Sequence, residues 1–318
     1  MTAVRYPIGV LFMAYGGPNA LAELPGFLAD IRSGRPVPAA VVEEIRHNYA
    51  QIGGRSPLLE ISQRQAAAVA AQLDPAHFHC YLGMRHWSPW IEEVVGQMLA
   101  NGVSHAVSLA LAPHYSQMSI ARYQAKIVAG LELHRGDLTF EHIASYHDAP
   151  GYLRALANRV QAGLVRWPAA ERERVHVVFS AHSLPSRILQ TSDPYDQQVR
   201  ETARLVALRA GLLTDQWSWS YQSAGRTSEP WLGPQLQEHL AALAARGQRD
   251  IVSVPVGFVA DHVEILYDID IQAQAVARQL GLRLERPPAL NDDPLFMAAL
   301  AELARQRAVA AGWLNGRP

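Results

Sequence analysis

Apolar runs rich in β-branched residues alternate with amphipathic helical segments along the whole chain. This alternation is typical of parallel sheets built from βαβ units. Eight apolar runs predict strands, four in each half of the chain. They cover residues 7–15, 77–84, 104–112, 138–145, 174–181, 216–222, 250–257 and, more weakly, 281–286.

The boundaries of the intervening helices are marked by proline and glycine. A residue pair ending in proline predicts a helix whose first turn contains that proline. These pairs are Ser56–Pro57, Ser88–Pro89, Asp193–Pro194 and Gly233–Pro234. Glycine after a periodic segment predicts the end of a helix. Such ends are predicted at Asn101–Gly102, Gly211, Gly247 and Gly281.

The two halves of the sequence resemble each other. The run Ser104–His114 parallels Asp250–His262, each an apolar strand that ends in a histidine. We therefore predict an α/β protein with two similar Rossmann-like domains. Each has a four-stranded parallel sheet flanked by helices, and a cleft lies between the domains. The predicted domains cover residues 1–150 and 151–290, and residues 291–318 form a C-terminal helix that packs back on the first domain.

Composition narrows the class of protein. The chain has 318 residues with a net charge of -1, so it lacks the excess of positive charge that is typical of nucleic-acid-binding proteins. Its single cysteine, Cys80, can form no internal disulfide and cannot alone hold an iron–sulfur cluster. No apolar run approaches the roughly 20 residues that cross a bilayer. The apolar stretch Ile8–Tyr15 ends at Gly16–Pro18, as a strand entering a loop does, so we expect a cytoplasmic protein without a signal peptide.

Candidate chemistry lies where predicted strands end. In open α/β sheets, ligands bind beyond the carboxyl ends of the strands. The polar residues there are Tyr15 after the first strand, His114 and Tyr115 after the third, His182 after the fifth, and the stretch 261–268 after the seventh. Domain interfaces are a common place for a ligand, so these ends are the first positions to consider.

Each candidate also has an ordinary structural interpretation. His182 could bind a divalent metal or accept a proton, or it could simply hydrogen-bond a loop carbonyl. Asp261 and Glu264 match a capping box, which would make Glu264 a structural partner of a helix N-terminus. Against this, Glu264, Asp268 and Gln272 recur at helical spacing, so a carboxylate row could conduct protons or cations along one face.

Tyr15 could approach a bound metal or donate a hydrogen bond, although a buried tyrosine with a satisfied hydroxyl is commoner. Motifs of other enzyme classes are absent from the sequence. It contains no Gly-x-Gly-x-x-Gly after the first strand, no phosphate-binding Walker loop and no Gly-x-Ser-x-Gly elbow. Nucleotide-dependent dehydrogenases and serine hydrolases are therefore disfavoured.

Seven motifs, in the same order and over nearly the whole chain, resemble those of the ferrochelatases, most closely the bacterial coproporphyrin III enzymes. They are Met13–Pro18, Ile52–Leu58, Leu111–Ser116, Phe179–Pro185, Asp193–Tyr195, Pro230–Pro234 and Pro255–Asp268. The resemblance implies a chelatase-like pair of Rossmann-like domains with a porphyrin cleft.

Position in these motifs implies a role for each candidate. His182 and Glu264 match the facing catalytic pair that contacts the metal. Asp268 continues the carboxylate row that conducts protons or metal ions. Tyr15 matches the tyrosine on the opposite porphyrin face, axial to the product iron. The positions matching those that hold propionates are Arg32, Ser56 and Tyr123.

The chain also departs from its relatives. Asn48 and Gln272 replace residues of an outer metal site found in some members, which puts that site in doubt. The segment Asn19–Pro36 corresponds to an apolar lip in membrane-associated members, but here it mixes charged residues with leucines. This composition favours a soluble enzyme and a substrate with more carboxylates.

The resemblance implies insertion of Fe²⁺ into a porphyrin during haem biosynthesis, with coproporphyrin III as the expected substrate and two protons released. Iron is then a substrate, and no tightly bound cofactor is expected. The alternatives are a protoporphyrin IX ferrochelatase, a sirohydrochlorin cobalt chelatase and a non-catalytic haem or porphyrin carrier. We expect a monomer whose partners are porphyrin and ferrous iron, with transient hand-over to neighbouring haem-pathway enzymes.

Overall fold

Strands and helices alternate throughout the computed structural model, which describes residues 7–225 and 227–314. The elements of the first half are β1 (Ile8–Ala14), α1 (Leu24–Ile31), α2 (Ala39–Gln51), α3 (Leu58–Ala70), β2 (Phe78–Met84), α4 (Ile91–Ala100), β3 (His105–Ala110), α5 (Ile120–His134) and β4 (Thr139–Ile143).

The same alternation continues in the second half. Its elements are α6 (Pro150–Leu164), β5 (His176–His182), α7 (Tyr195–Arg209), β6 (Trp217–Gln222), α8 (Leu236–Ala245), β7 (Asp250–Pro255), α9 (Val263–Leu266), α10 (Gln274–Gln279), β8 (Arg283–Glu285) and α11 (Pro294–Ala310). A π-helix, Asp268–Ala273, lies between α9 and α10. The 3₁₀ turns are Leu21–Glu23, Ala169–Arg174 and Ser186–Gln190.

The strands form two parallel four-stranded sheets of identical topology. The strand order is β2-β1-β3-β4 in the first sheet and β6-β5-β7-β8 in the second. This confirms the predicted four-plus-four arrangement and the internal repeat. In each sheet the chain moves from one side of the first strand to the other, so β1/β3 and β5/β7 are the topological switch points. Ligands of open α/β sheets bind at such points.

The chain divides into two compact units. Unit 1 consists of Met1–Tyr146 and Asp292–Pro318, and unit 2 consists of His147–Asn291. Within unit 1, α11 packs against α3, β3 and β4.

Each unit has its own apolar core. In unit 1, Leu11 and Met13 of β1 pack with buried residues of α4 and α5, among them Val95 and Ile127. In unit 2, buried residues of β5, α8, β7, the π-helix and α10 form one cluster. Its members include Val178, Leu240, Ile251 and Ile269. Burial of these apolar surfaces is the main favourable contribution to folding of each unit.

The glycine signals for helix ends are confirmed. Gly102, Gly211, Gly247 and Gly281 follow α4, α7, α8 and α10, and all have positive φ values. This left-handed backbone favours glycine because a Cβ atom would clash with the following carbonyl oxygen.

The proline signals are only partly correct. α3 and α7 begin one residue after Pro57 and Pro194. At Ser88–Pro89 and Gly233–Pro234 the peptides are cis, and α4 and α8 begin two residues after the proline. The Pro89 and Pro234 carbonyls accept hydrogen bonds of 2.6 and 2.7 Å from Met84 N and Tyr221 N. The chain therefore stays extended beside a strand end before the helix can start.

Among the described residues, no helix is both long and apolar enough to cross a membrane.

Candidate active site

The switch point of unit 2 brings together two side chains that are distant in sequence. His182 is the last residue of β5, and Glu264 lies in α9, which follows the neighbouring strand β7. His182 Nε2 lies 3.3 Å from Glu264 Oε1, and the two side chains are 30% and 33% exposed. The predicted pair is therefore within contact distance and accessible to a ligand.

A glycine permits the close approach of the segment that carries Glu264. A Cβ atom at Gly257, just after β7, would lie 2.6 Å from Ala181 Cβ and 2.9 Å from Ala181 Cα. Ala181 is the residue before His182, so a larger residue at position 257 would force the β7 end away from the β5 end.

The ring nitrogens of His182 have different partners. Nδ1 contacts the carbonyl of Ser183, which can only accept, so Nδ1 carries a hydrogen. The Tyr195 hydroxyl donates to the His182 carbonyl at 2.8 Å and holds the backbone. In a neutral imidazole, Nε2 would then direct a bare lone pair at the Glu264 carboxylate. This arrangement is favourable only when a proton or a metal cation lies between Nε2 and Oε1.

The electrostatics of the pair agree with its geometry. Burial alone would lower the pKa of His182, but the charge and hydrogen bond of Glu264 outweigh it and raise that pKa above its ordinary value. Burial alone would raise the pKa of Glu264, but His182 and His262 hold it well below its usual range. Both shifts favour the form of the pair in which an imidazolium faces a carboxylate.

His262 is a second imidazole on Glu264 that was not identified from the sequence. Its Nε2 lies 3.4 Å from Glu264 Oε2, and its Nδ1 lies 2.9 Å from the Ala260 carbonyl. Its ring packs against Phe258 with the centroids 4.7 Å apart. The sequence signal that could have identified His262 is its position two residues before Glu264, within the motif Pro255–Asp268. The carboxylate is thus held between two imidazoles.

The predicted capping box is wrong. The N-cap of α9 is His262, not Asp261, and no side chain caps it. The Asp261 carboxylate instead accepts hydrogen bonds from Arg286 at 2.9 Å and from Asn291 at 2.8 Å. A buried guanidinium gives this carboxylate stronger hydrogen bonds than the N-terminus of a four-residue helix would. Glu264 is therefore free of the structural role that the sequence allowed.

Asp268 lies near the pair, at the start of the π-helix. It accepts a hydrogen bond from the Ser223 hydroxyl. Burial, with a contribution from the charge of Glu264, raises the pKa of Asp268 to about 6. Asp268 and Gln272 lie in the π-helix that follows α9, so one continuous α-helix does not carry them, and the shared face of Glu264, Asp268 and Gln272 stays a prediction.

The other predicted residues lie in unit 1. Tyr15 follows β1 and is 41% exposed, with its ring 4.6 Å from that of His86. Arg32 is exposed at the C-terminus of α1, whereas Ser56 and Tyr123 are buried. Their predicted contacts with substrate stay predictions.

The remaining strand-end candidates of unit 1 have structural surroundings. His114 is buried, and Tyr115 packs against the apolar core of the unit.

In the part of the chain that the structure describes, no group of three or more His, Cys, Asp or Glu side chains is arranged to hold a metal ion by itself. A two-residue donor pair leaves most of the coordination shell of a metal open to other ligands.

Known structures with the same architecture include a sirohydrochlorin chelatase. The chain aligns with SirB from Bacillus subtilis, solved with Fe³⁺, at a TM-score of 0.61 and 11% identity, covering 96% of this chain and 97% of that one. At this identity the likeness shows a shared fold and nothing about the substrate.

Sequence comparison is more specific. The Ferrochelatase family model matches residues 7–308. A ferrochelatase from Deinococcus radiodurans is 56% identical over 304 residues, which cover 95% of this chain and 96% of the relative. A coproporphyrin III ferrochelatase from Geobacillus kaustophilus is 40% identical over 309 residues, with 96% and 97% covered. Matches of this extent and identity mean that the chain belongs to the ferrochelatase family.

Proposed function

We propose that this ferrochelatase inserts ferrous iron into coproporphyrin III, and that His182 and Glu264 are its metal-insertion pair. The observation that carries the proposal is the 3.3 Å approach of His182 Nε2 to Glu264 Oε1. A lone pair directed at a carboxylate is stabilised by a cation placed between them. Imidazole and carboxylate together suit ferrous iron.

The small number of donors supports transfer of the metal rather than its storage. A site that held iron permanently would supply a closed set of protein ligands, as structural metal sites do. Here His182 and Glu264 leave positions open, which the four nitrogens of a macrocycle can take. The pair can therefore receive a ferrous ion and release it to the porphyrin.

Proton transfer is the second task of the pair. A free-base porphyrin loses the protons of its two inner N–H groups as the metal enters, so the enzyme has to accept two protons. His182 Nε2 binds iron only when it carries no hydrogen, so a proton held between Nε2 and Glu264 has to leave before iron binds. Asp268, whose pKa is about 6, then accepts protons near neutral pH and passes them outward. Glu264 stays ionised throughout because its pKa is low.

The identity of the porphyrin is supported by the relatives and by the segment Asn19–Pro36. Several relatives at about 40% identity are named coproporphyrin III ferrochelatases, including the one from Geobacillus kaustophilus. In the segment itself, Glu23 and Asp30 bind Trp87 and His86 of the same unit. Arg32 and Arg35 are left exposed. Two exposed guanidinium groups suit coproporphyrin III, which carries more propionates than protoporphyrin IX.

The test of this function is a comparison of two substrates under anaerobic conditions without detergent. We expect kcat/KM for iron insertion to be at least about tenfold higher with coproporphyrin III than with protoporphyrin IX, which corresponds to about 1.4 kcal/mol of transition-state binding. Loss of porphyrin fluorescence with and without enzyme gives the rates. Equal values would contradict the substrate, and no catalysis with either porphyrin would contradict the enzyme and favour a carrier.

Tyr15 is proposed as the axial ligand of the product iron. Replacing it with phenylalanine keeps the ring beside His86 and removes only the hydroxyl, so insertion should stay within about threefold of wild type. The absorption spectrum of bound iron coproporphyrin should change, because a phenol ligand is lost. Tyr49→Phe, which removes a phenol from the buried core of unit 1, serves as the control. An unchanged spectrum for Tyr15→Phe would exclude Tyr15 as a ligand.

The proposal includes no tightly bound cofactor, with iron acting as a substrate. Burial raises the pKa of the Cys80 thiol to about 12, so this side chain is poorly suited to act as a thiolate ligand. We also propose a monomer located in the cytoplasm, with transient hand-over of porphyrin to neighbouring enzymes of haem biosynthesis. The single cysteine fits the reducing conditions of this location.

A further inference from the structure

Two buried polar side chains connect the strand that carries His182 to the segment that carries Glu264. The Ser180 hydroxyl donates to Gln222 Oε1 at 2.7 Å, and Gln222 Nε2 donates to the Glu264 carbonyl at 2.7 Å. Ser180 is fully buried and Gln222 is 1% exposed. We call Ser180 and Gln222 the relay.

The hydrogen bonds of the relay permit only one orientation of the Gln222 amide. If the amide were flipped, its oxygen would face the Glu264 carbonyl oxygen, and two buried acceptors would be left without a donor. Such a pair costs about 1–3 kcal/mol for each unsatisfied group. The Glu264 carbonyl, which can only accept, therefore sets the orientation of the amide, and the Ser180 hydroxyl holds the amide there by donating to its oxygen.

The relay lies directly beside the proposed metal-insertion pair. Ser180 is two residues before His182 on β5, and Gln222 pairs in register with His182 across β5 and β6. The helix that carries Glu264 has four residues and no side-chain cap, so its own hydrogen bonds hold it weakly. Gln222 supplies a fixed attachment for this helix at the residue whose carboxylate faces His182.

The neighbouring strand β6 buries a serine that lacks such a hydrogen bond. Ser220 pairs in register with Ser180 and is also fully buried. Its hydroxyl has no hydrogen-bond partner among the described residues. The two serines thus share the sheet and the burial, and only Ser180 is linked to Glu264.

We infer that Ser180 and Gln222 are positioning residues for iron insertion, which act by holding the Glu264 backbone so that its carboxylate stays opposite His182 Nε2. This inference rests on the proposed function of the His182–Glu264 pair. Displacement of a catalytic group by about 1 Å can cost about 100-fold in rate. The relay is expected to affect the chemical step and not the binding of porphyrin.

The matched experiment compares Ser180→Ala with Ser220→Ala. We expect kcat for iron insertion to fall about tenfold in Ser180→Ala, with the KM for porphyrin unchanged, and to stay within about twofold in Ser220→Ala. Gln222→Met, which keeps the length of the side chain without its polar atoms, should lose about 10- to 100-fold in kcat. Melting temperatures measured beside the rates show whether the variants are folded. Equal kcat values for the two serine variants would overturn the inference.

A double-variant test separates the relay from the function of the pair. If the relay acts through Glu264, Ser180→Ala should cause no further loss in a Glu264→Gln background. A further tenfold loss there would show that Ser180 acts elsewhere and would overturn the inference. Wild-type kcat in Glu264→Gln alone would overturn both the inference and the proposed role of the pair. If Glu264→Gln is inactive and Ser180→Ala is fully active, the inference about the relay is overturned and the proposed role of the His182–Glu264 pair stands.

Discussion

Replacement of His182 by alanine should reduce iron insertion by about 1000-fold while coproporphyrin binding stays within a few-fold of wild type. General acid–base groups contribute about 10²–10⁴-fold to rates, and this imidazole also contacts the metal in the proposed mechanism. Its removal leaves Glu264 without the partner that lies 3.3 Å away. Anaerobic turnover gives the rate, and quenching of porphyrin fluorescence on titration gives the binding.

The control for this variant is the replacement of a histidine in an exposed ion pair. His77→Ala removes an imidazole whose side chain is 49% exposed and which pairs with Asp74. It should leave both rate and binding unchanged. Turnover of His182→Ala within a few-fold of wild type would contradict the role of His182. Loss of porphyrin binding together with turnover would instead indicate that His182 supports the binding surface.

The second large effect is expected on stability, from replacement of Arg286 by methionine. Arg286 has a side chain that is 8% exposed, and its Nε and Nη2 each bind Asp270 at 2.6 Å. Its Nη1 binds Asp261 at 2.9 Å. One guanidinium thus joins the two ends of the segment that carries Glu264. The variant should lose about 3 kcal/mol in the free energy of unfolding of unit 2, because it leaves carboxylates without their buried partner.

Urea denaturation at neutral pH measures this loss. Arg55→Met is the matched control, since Arg55 forms an exposed ion pair with Glu60 at 2.7 Å and should contribute less than about 1 kcal/mol. Adding Asp270→Asn to Arg286→Met should recover part of the stability because it removes an uncompensated charge. A loss below about 1 kcal/mol in Arg286→Met, equal to that of the control, would show that the ion-pair network does not stabilise the segment.

The arrangement of strands was predictable because it depends on local patterns. Each strand is a short apolar run bounded by turn residues, and the glycines after α4, α7, α8 and α10 mark backbone that only glycine adopts easily. Errors arose where the chain leaving a strand turns back and bonds to the end of that same strand. At Pro89 and Pro234, hydrogen bonds from strand ends keep the chain extended, and no local pattern in the sequence contains those bonds.

The candidate site was predictable to a similar extent and for a similar reason. His182 and Glu264 follow strands that the apolar pattern identifies, and the carboxyl ends of parallel strands meet at one edge. The same rule would have identified Gln222 and Arg286, which stand at the end of β6 and just after β8. Histidine, tyrosine and carboxylates at strand ends indicate acid–base or metal chemistry by their type. An amide and a guanidinium do not, so the sequence gives no comparable signal for Gln222 and Arg286.

Sequence by itself determined the order of the elements, the two parallel sheets, the family and the identity of the two residues at the switch point of unit 2, because these follow from local periodicity and from motifs. The tertiary structure alone decided which contacts surround those residues. It assigned Asp261 to Arg286 and not to a helix N-terminus, placed His262 on Glu264, and linked Ser180 to Glu264 through Gln222. The physical reason is that hydrogen bonds and ion pairs of side chains depend on differences in distance of a few tenths of an ångström, and sequence spacing does not determine such distances.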